Sequence, residues 1–265
     1  MTIGAGDGLP LEAGTPASSF SELLRSRGIS PHWDATGSDR DALERPEATT
    51  VLAFRYADGV VMAGDRRAVL GNIIAYRNVQ KVYEADAFSA VAISGTAGIA
   101  IELVKLFQTE LEHYEKLEGR RLSLAGKANH LAAMVRRQLP MAFQGLVVIP
   151  LFCGYDEELH DGRLYSFDVV GGSYEETDYA TTGSGGRDAR LYLRTHYSAD
   201  MGVEAAIDLA VAALVAAAEE DTATGGPDLR REIYPNVVTV SSVGYREIGH
   251  ERVATAARGA MGGDA

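Results

Sequence analysis

The chain has 265 residues, of which 46% are hydrophobic and 23% charged, with a formal net charge of −12 and a pI near 5.0. An acidic chain without a cluster of Lys and Arg argues against nucleic acid and anionic membranes as partners. No apolar run reaches the roughly 18 residues that span a bilayer, and the start MTIGAGDGLPLEAG lacks the features of a secretory signal. A single cysteine, Cys153, excludes an internal disulfide and fits a reducing compartment. We therefore expect a soluble, cytoplasmic protein.

Residues 1–48 differ in composition from the rest of the chain. They are rich in Gly, Ser, Pro, Asp and Arg, and only Phe20, Leu23 and Leu24 in SFSELLRSRG have helical spacing. This composition favours a disordered leader. From position 49 the chain turns into alternating apolar strands, so we predict one domain over residues 49–265.

The first half of that domain is predicted to form strands and then helices. TTVLAFRY and GVVMAGDRR alternate around Asp58-Gly59, a common hairpin dipeptide, and NIIAYRN, VQKVYE and FSAVAIS follow as short strands. Apolar residues at helical spacing over 99–117 indicate one helix. A second helix is predicted over about 123–139, where Pro140 ends it.

The second half repeats this order. GLVVIPLFCGYD, RLYSFDVVGGSYEE and DYATTG predict strands, and helices are predicted after Gly185-Gly186 and over about 201–219, with Asp200 as the cap of the latter. NVVTVSSV and YREIG are predicted as the closing strands. The order favours an α+β fold in which two antiparallel sheets pack face to face and a helix pair covers each outer surface.

Common catalytic motifs are missing from the sequence. It contains no GxSxG elbow and no Walker loop, and its six histidines form no HxH or HExxH pattern. Cys153 lies in an apolar run, which favours an inert buried thiol. GSGG at 183–186 offers backbone amides to an anion ahead of a helix, although a tight turn is the simpler interpretation.

Two adjacent threonines, Thr49 and Thr50, open the first strand. A threonine hydroxyl needs a base, and the α-amino group, with a pKa of about 8, serves when the threonine begins a chain. Cleavage between Ala48 and Thr49 creates that situation and explains a long leader. The alternative is that both threonines are there for their strand propensity.

Two charged residues, Asp65 and Lys81, lie beside apolar strands. Asp65 ends the second strand in VVMAGDRR, and Lys81 begins the fourth in VQKVYE, where an unpaired charge is costly. As a pair near the chain start, the lysine favours deprotonated neighbours and the carboxylate orients the lysine. The alternative is two solvated charges at strand ends.

Several separated motifs together resemble the β subunit of the 20S proteasome, of the actinobacterial type. They are TTVLAF, GDRRAVLGN at 64–72, the lysine of VQKV 32 residues after the first threonine, AISGTAG at 92–98, TTGSGG at 181–186 and DTATGG at 221–226. The resemblance covers essentially all of residues 49–265. It implies the four-layer α-β-β-α sandwich of N-terminal nucleophile hydrolases, and a threonine endopeptidase that uses no metal or organic cofactor.

The resemblance also implies roles for single residues. Thr49 is the nucleophile, and its freed amine is the general base. Asp65 and Lys81 form the supporting pair, and the backbone N–H of Gly95 is the oxyanion donor. The leader, residues 1–48, is a propeptide that the chain removes from itself between Ala48 and Thr49.

The chain departs from the family at two positions. Ser184, Asp221 and Thr224 match the outer group around the amine, but the last of these is usually serine, so an extra methyl group is present. Relatives commonly have Gly where this chain has Ala48, and Gly adopts the strained turn of self-cleavage more easily. We therefore expect slower self-processing by the same mechanism.

Four uncharged residues match the pocket for the substrate side chain before the cut bond: Ala68, Val79, Ile93 and Ala97. This lining implies cleavage after apolar residues, because a buried substrate charge finds no partner there. The alternative for each of the four is a packing role in the core.

Partners follow from the resemblance as well. It implies seven-membered β rings, two of them stacked at the centre and flanked by rings of α subunits, through heterologous contacts that repeat around the axis. An ATPase ring feeds in unfolded proteins, some of them marked by a small ubiquitin-like modifier. The leader, with its patch at residues 20–24, assists assembly before it is removed.

Three other interpretations stay open. A single-ring-type bacterial protease of the same superfamily shares the double threonine and a GD…LGN stretch, but it lacks a long leader. A non-catalytic β-type subunit serves as a ring scaffold, and such proteins usually lose the first threonine, the lysine or the aspartate. A small-molecule binder that uses GSGG predicts no processing at all.

Overall fold

A computed structural model describes residues 49–71 and 73–262. The predicted leader, its apolar patch at residues 20–24 and Ala48 lie outside the described residues. No helix in the described ranges is both long and apolar enough to cross a bilayer.

The described part of the chain alternates blocks of strands with blocks of helices. The strands are β1 (Thr50–Tyr56), β2 (Gly59–Gly64), β3 (Ala68–Leu70), β4 (Ile73–Tyr76), β5 (Val82–Asp86), β6 (Ser89–Gly95), β7 (Val148–Asp156), β8 (Asp161–Phe167), β9 (Ser173–Glu176), β10 (Tyr179–Gly183), β11 (Asn236–Ser241) and β12 (Gly244–Glu247). The helices are α1 (Ala97–Glu118), α2 (Leu124–Arg137), α3 (Leu139–Ala142), α4 (Gly186–His196), α5 (Val203–Glu220) and α6 (His250–Gly262).

Two five-stranded antiparallel sheets form the centre of the fold. The first sheet has the order β10-β1-β2-β11-β12, and the second has the order β5-β6-β7-β8-β9. Strands β3 and β4 form a separate two-stranded ribbon. Because β1 lies between β10 and β2 in the first sheet, the start of this strand is held from both sides.

Three buried apolar clusters show that sheets and helices are stacked in four layers. One cluster lies between the two sheets and includes Cys153, and burial raises the pKa of its thiol. A second cluster joins the second sheet to α1 and α2, and a third joins the first sheet to α4, α5 and α6. The predicted α+β sandwich is confirmed, and the inert buried cysteine agrees with the sequence analysis.

The two faces of β1 enter different layers, because side chains alternate along a strand. Val51 and Ala53 belong to the cluster between the sheets, whereas Leu52 and Phe54 belong to the cluster with the helices. The same alternation, continued backwards, puts Thr50 on the helix side. Two neighbouring threonines therefore face different surroundings.

The turn between β1 and β2 differs from the prediction by one residue. Tyr56 pairs with Gly59, so the two-residue turn is Ala57-Asp58 rather than Asp58-Gly59. Gly59 lies inside β2, where a Cβ would overlap the carbonyl oxygen of Val240 on β11. Glycine is needed at this position for close strand approach, not for the turn.

Two predicted helix boundaries were wrong. Pro140 does not end a helix over 123–139, because α2 already ends at Arg137 and Pro140 lies in the first turn of α3, where no N–H is required. Asp200 does not cap the alanine-rich helix, whose N-cap is Gly202. The Met201 carbonyl instead accepts the N–H of Ala57, which holds this connection against the β1–β2 turn.

The C-terminal helix α6 was not predicted. Its buried side chains are small, Val253 and three alanines, so its apolar stripe is weak in sequence. They pack into the cluster beside α5. The first sheet therefore carries three helices, not the expected pair.

Candidate active site

Asp65 directly follows β2 and is the most highly hydrogen-bonded side chain at the start of β1. Its Oδ1 accepts the N–H of Thr50 at 2.9 Å and the ammonium of Lys81 at 2.6 Å. Its Oδ2 accepts the N–H groups of Arg67 at 2.9 Å and Gly225 at 2.8 Å. Four hydrogen-bond donors thus stabilise the negative charge of a carboxylate whose side chain is 0% exposed.

Lys81 directly precedes β5 and is buried beside this carboxylate. Its side chain is 4% exposed, and its ammonium donates to Asp65 and, at 2.5 Å, to the carbonyl of Arg67. The backbone N–H of Lys81 donates to Asn236 at the start of β11. The Asp65–Lys81 ion pair therefore bridges the two sheets, and the alternative of two solvated strand-end charges is wrong.

Thr49 precedes β1 and lies at a pocket that also contains the lysine. The lining of this pocket, which is partly open to solvent, comprises Thr49, Ala68, Val79, Gln80, Lys81, Tyr83, Ile93, Ala97, Ala100 and Ile101. All four residues nominated for substrate binding are in this lining, together with the nominated nucleophile. Gln80, Tyr83, Ala100 and Ile101 were not predicted.

The pocket is uncharged apart from Lys81. Apart from Thr49, its walls come from β3, the segment before β5, β5 itself, β6 and the first turns of α1. Of the four nominated residues, Ala68 and Ile93 are buried, whereas Val79 and Ala97 are partly exposed. Apart from the paired lysine, the lining residues offer no basic or acidic partner to a group in the pocket.

Gly95 ends β6 next to this pocket. Its φ of +108° lies in the left-handed region, and a Cβ there would overlap the carbonyl oxygen of Val147. Only glycine fits this position. The chain can thus turn directly from β6 into α1, whose first residue, Ala97, lines the pocket.

Ser184, Asp221 and Thr224 meet on the other side of the start of β1. The hydroxyls of Ser184 and Thr224 both donate to Oδ2 of Asp221, the latter at 2.6 Å. The backbone N–H of Ser184 donates to the carbonyl of Thr49 at 3.0 Å. The structure therefore brings these three nominated residues together beside the nominated nucleophile.

The pKa of Asp221 results from opposing effects. Partial burial raises it, but hydrogen bonds from Ser184, Thr224 and the backbone N–H of Ala223 lower it more, so the pKa lies below its usual value. Asp221 is thus a carboxylate at neutral pH. The stability that its bonds provide is lost only when the pH falls through this lowered pKa.

Thr50 was also not predicted to belong to the site. Its side chain is fully buried, and its Oγ1 accepts the N–H of Gly185 at 2.9 Å and lies 2.6 Å from Oγ1 of Thr224. A Cβ on Gly185 would approach the hydroxyls of both threonines to 2.8 Å and 2.5 Å. The signal was its position on the helix-facing side of β1, where a buried hydroxyl must find a partner.

The GSGG segment therefore makes a tight turn onto β1, as the simpler interpretation predicted. The described residues also contain no group of three or more His, Cys, Asp or Glu arranged to hold a metal ion.

Comparison with known proteins decides the family. A family profile described as "Proteasome subunit" matches residues 46–228. Over 238 residues the chain is 50% identical to "Proteasome subunit beta" of Acidimicrobium ferrooxidans, covering 90% of this chain and 87% of that protein. This chain belongs to the proteasome β-subunit family. It is also 48% identical over 253 residues to "Proteasome subunit beta" of Streptomyces griseus, covering 94% of this chain and 90% of that protein.

Proteasome β subunits are generally threonine peptidases with the N-terminal nucleophile hydrolase fold. Membership in the family also implies assembly into a proteasome core complex. The resemblance seen in the sequence is confirmed. The small-molecule binder loses its support, since GSGG packs against Thr50 and Thr224.

We predict that the Asp65–Lys81 pair dominates the stability of this site. Asp65→Asn or Lys81→Met leaves one charge buried opposite a neutral side chain, so each should lower the free energy of unfolding by about 3–5 kcal/mol. The double variant should lose less than the sum of the two single losses, because the second change removes the remaining buried charge. Urea unfolding of the isolated chain measures all three.

The exposed ion pair between Glu112 and Lys116 is the matched control. Its removal should leave stability unchanged, because solvent screens an exposed pair. Additive losses at Asp65 and Lys81 would show that the two charges do not act as a pair.

Proposed function

We propose that this chain is a catalytic β subunit, a threonine endopeptidase of the proteasome core, and that residues 1–48 are a propeptide removed by self-cleavage before Thr49. One observation carries the proposal. Thr49 lines an apolar pocket together with Lys81, and the lysine is held by a buried carboxylate with four donors. A non-catalytic ring scaffold has no need for such a pair at its chain start.

Self-cleavage starts with attack of the Thr49 hydroxyl on the carbonyl carbon of Ala48. The C–O bond forms as the Ala48–Thr49 C–N bond breaks, and the hydroxyl proton goes to the departing nitrogen. Water then hydrolyses the resulting ester, releasing residues 1–48 and leaving Thr49 with a free amine. Ala48 slows the step relative to glycine, because it adopts the strained turn less easily.

Peptide hydrolysis uses the same hydroxyl with the freed amine as base. The amine takes the proton of the Thr49 hydroxyl as the oxygen attacks the substrate carbonyl. The proton passes to the leaving amine, and an ester remains on Thr49. Water activated by the same amine then hydrolyses the ester, which restores the hydroxyl.

The charges around Thr49 support both steps. The Lys81 ammonium, oriented by Asp65, favours the deprotonated forms of the hydroxyl and the amine. The backbone N–H of Gly95 serves as oxyanion donor, a contact whose loss in comparable sites costs about 3–4 kcal/mol of transition-state stabilisation. Ser184, with Asp221 and Thr224 behind it, lies beside Thr49, since its backbone N–H donates to the carbonyl of Thr49.

Assembly and substrate delivery complete the proposal. The β subunits form two stacked seven-membered rings flanked by α rings, in the cytoplasm. An ATPase ring feeds in unfolded proteins, some of them carrying a ubiquitin-like modifier. Family membership supports the core assembly, and the resemblance in sequence supports the remaining partners.

We predict that Thr49→Ala abolishes both peptide hydrolysis and removal of residues 1–48, because one hydroxyl performs both reactions. Fluorogenic peptide assays and intact-mass measurement of the assembled particle test this. Thr49→Ser, which keeps a hydroxyl, is the matched control and should retain both reactions.

Electron micrographs of the Thr49→Ala particle should still show seven-fold rings, since the change leaves the fold untouched. Normal turnover by Thr49→Ala contradicts the nucleophile assignment. A different symmetry contradicts the ring proposal, and an unprocessed, inactive wild-type particle favours the scaffold.

We also predict a preference for apolar side chains before the cut bond. In a series of peptides that differ only there, Leu or Phe should give kcat/KM values at least about tenfold above those for Asp or Lys, because the pocket leaves a second buried charge uncompensated. Equal rates across the series contradict the pocket assignment but not the nucleophile.

A further inference from the structure

Thr50 occupies a position that nothing in the proposed reaction uses. It is fully buried on the helix-facing side of β1, whereas Thr49 lies at the substrate pocket. Its hydroxyl makes two close polar contacts, with the N–H of Gly185 and with Oγ1 of Thr224. A threonine present only for its strand propensity would need neither of these two hydrogen bonds.

The donors and acceptors around Thr50 fix the direction of its hydrogen bonds. Gly185 N–H can only donate, so Oγ1 of Thr50 accepts from it. The hydroxyl proton of Thr224 goes to the carboxylate of Asp221, so Oγ1 of Thr224 accepts from Thr50. The chain of bonds therefore runs one way, from the Gly185 amide through two hydroxyls to a carboxylate.

The backbone of Thr50 binds the other charged group of the site. Its N–H donates to Oδ1 of Asp65, the same oxygen that accepts the Lys81 ammonium, and its carbonyl accepts the N–H of Asp65 at 3.1 Å. Thr50 thus binds Asp65 directly through its backbone, and its side chain is linked to Asp221 through the hydroxyl of Thr224. The peptide group between Thr49 and Thr50 is therefore held from both sides, since its N–H donates to Asp65 and its carbonyl accepts the N–H of Ser184.

The Gly185 contact also places Ser184. Ser184 is the residue before Gly185, its N–H binds the carbonyl of Thr49, and its hydroxyl binds Asp221. A hydroxyl on Thr50 that holds Gly185 therefore fixes the distance between Ser184 and the chain start.

We propose that Thr50 is a positioning residue for the hydrolysis. Its hydroxyl locks the turn at 183–186 onto β1, and so sets Thr49, Ser184 and Asp221 in the geometry that the reaction needs. The inference rests on the proposed function, since it concerns how the Thr49 amine and hydroxyl are aligned. Thr50 does not line the pocket, so substrate binding does not depend on it.

Removal of this hydroxyl should lower kcat and leave KM unchanged. Thr50→Val keeps the shape of the side chain but leaves the Gly185 N–H and Oγ1 of Thr224 without this partner. Since misplacement of reacting groups by about 1 Å costs about a hundredfold in rate, we expect kcat to fall about tenfold to a hundredfold. Thr50→Ser restores the hydroxyl and should recover most of the loss.

The experiment compares two matched pairs in the assembled particle. Thr50 against Thr50→Val, and Thr50→Ser against Thr50→Ala, each differ chiefly by the hydroxyl. Thr239→Val, a buried threonine of β11 in the same sheet, is the control and should behave as wild type. Each particle is assayed for kcat and KM and for covalent labelling at Thr49 by a threonine-directed inhibitor.

The expected result is a loss of kcat at constant KM, with slower labelling, in both variants that lack the hydroxyl. Wild-type kcat in these variants overturns the positioning role. So does a loss confined to KM, or failure of both variants to assemble while Thr239→Val assembles, which would make Thr50 a folding residue. A wild-type particle that is not labelled at Thr49 instead refutes the proposed function.

Discussion

The buried ion pair between Asp65 and Lys81 is the interaction on which the rest of this site depends. Burial of either charge alone would be strongly destabilising. The pair is stable in the core because Asp65 also accepts hydrogen bonds from three backbone N–H groups. These donors come from β1, from the segment after β2 and from the loop after α5. One carboxylate therefore fixes three segments, and the lysine is directed towards the pocket that Thr49 lines.

Two adjacent threonines at the start of β1 place their hydroxyl groups in two different environments. Alternation along the strand gives Thr49 the pocket side and Thr50 the helix side. The turn at 183–186 closes over both, because Gly185 is small enough to approach Thr50 and Thr224. The start of β1 is therefore held on both faces, and in the proposed function this provides the fixed geometry that the freed amine of Thr49 requires as a base.

The sequence predicts the layer order and the charged pair, because alternation and unpaired charges in apolar strands are local signals. It does not predict the donors to Asp65, since the amides of Arg67 and Gly225 carry no signature in residue type. Helix α6 was not predicted for another reason. Its buried side chains are mostly alanine, which gives only a weak apolar pattern in the sequence. No role was predicted for Thr50, because β propensity alone accounts for two adjacent threonines until the contacts of Thr50 with Gly185 and Thr224 are known.

The N-terminus of the β chain in a hydrolysing particle tests the account most directly. Intact-mass measurement and N-terminal sequencing of an active, fully assembled particle should find chains that begin at Thr49 with a free α-amino group. Peptide hydrolysis by particles whose chains all retain the bond between Ala48 and Thr49 would contradict the account, because no free amine would then be available to accept the hydroxyl proton.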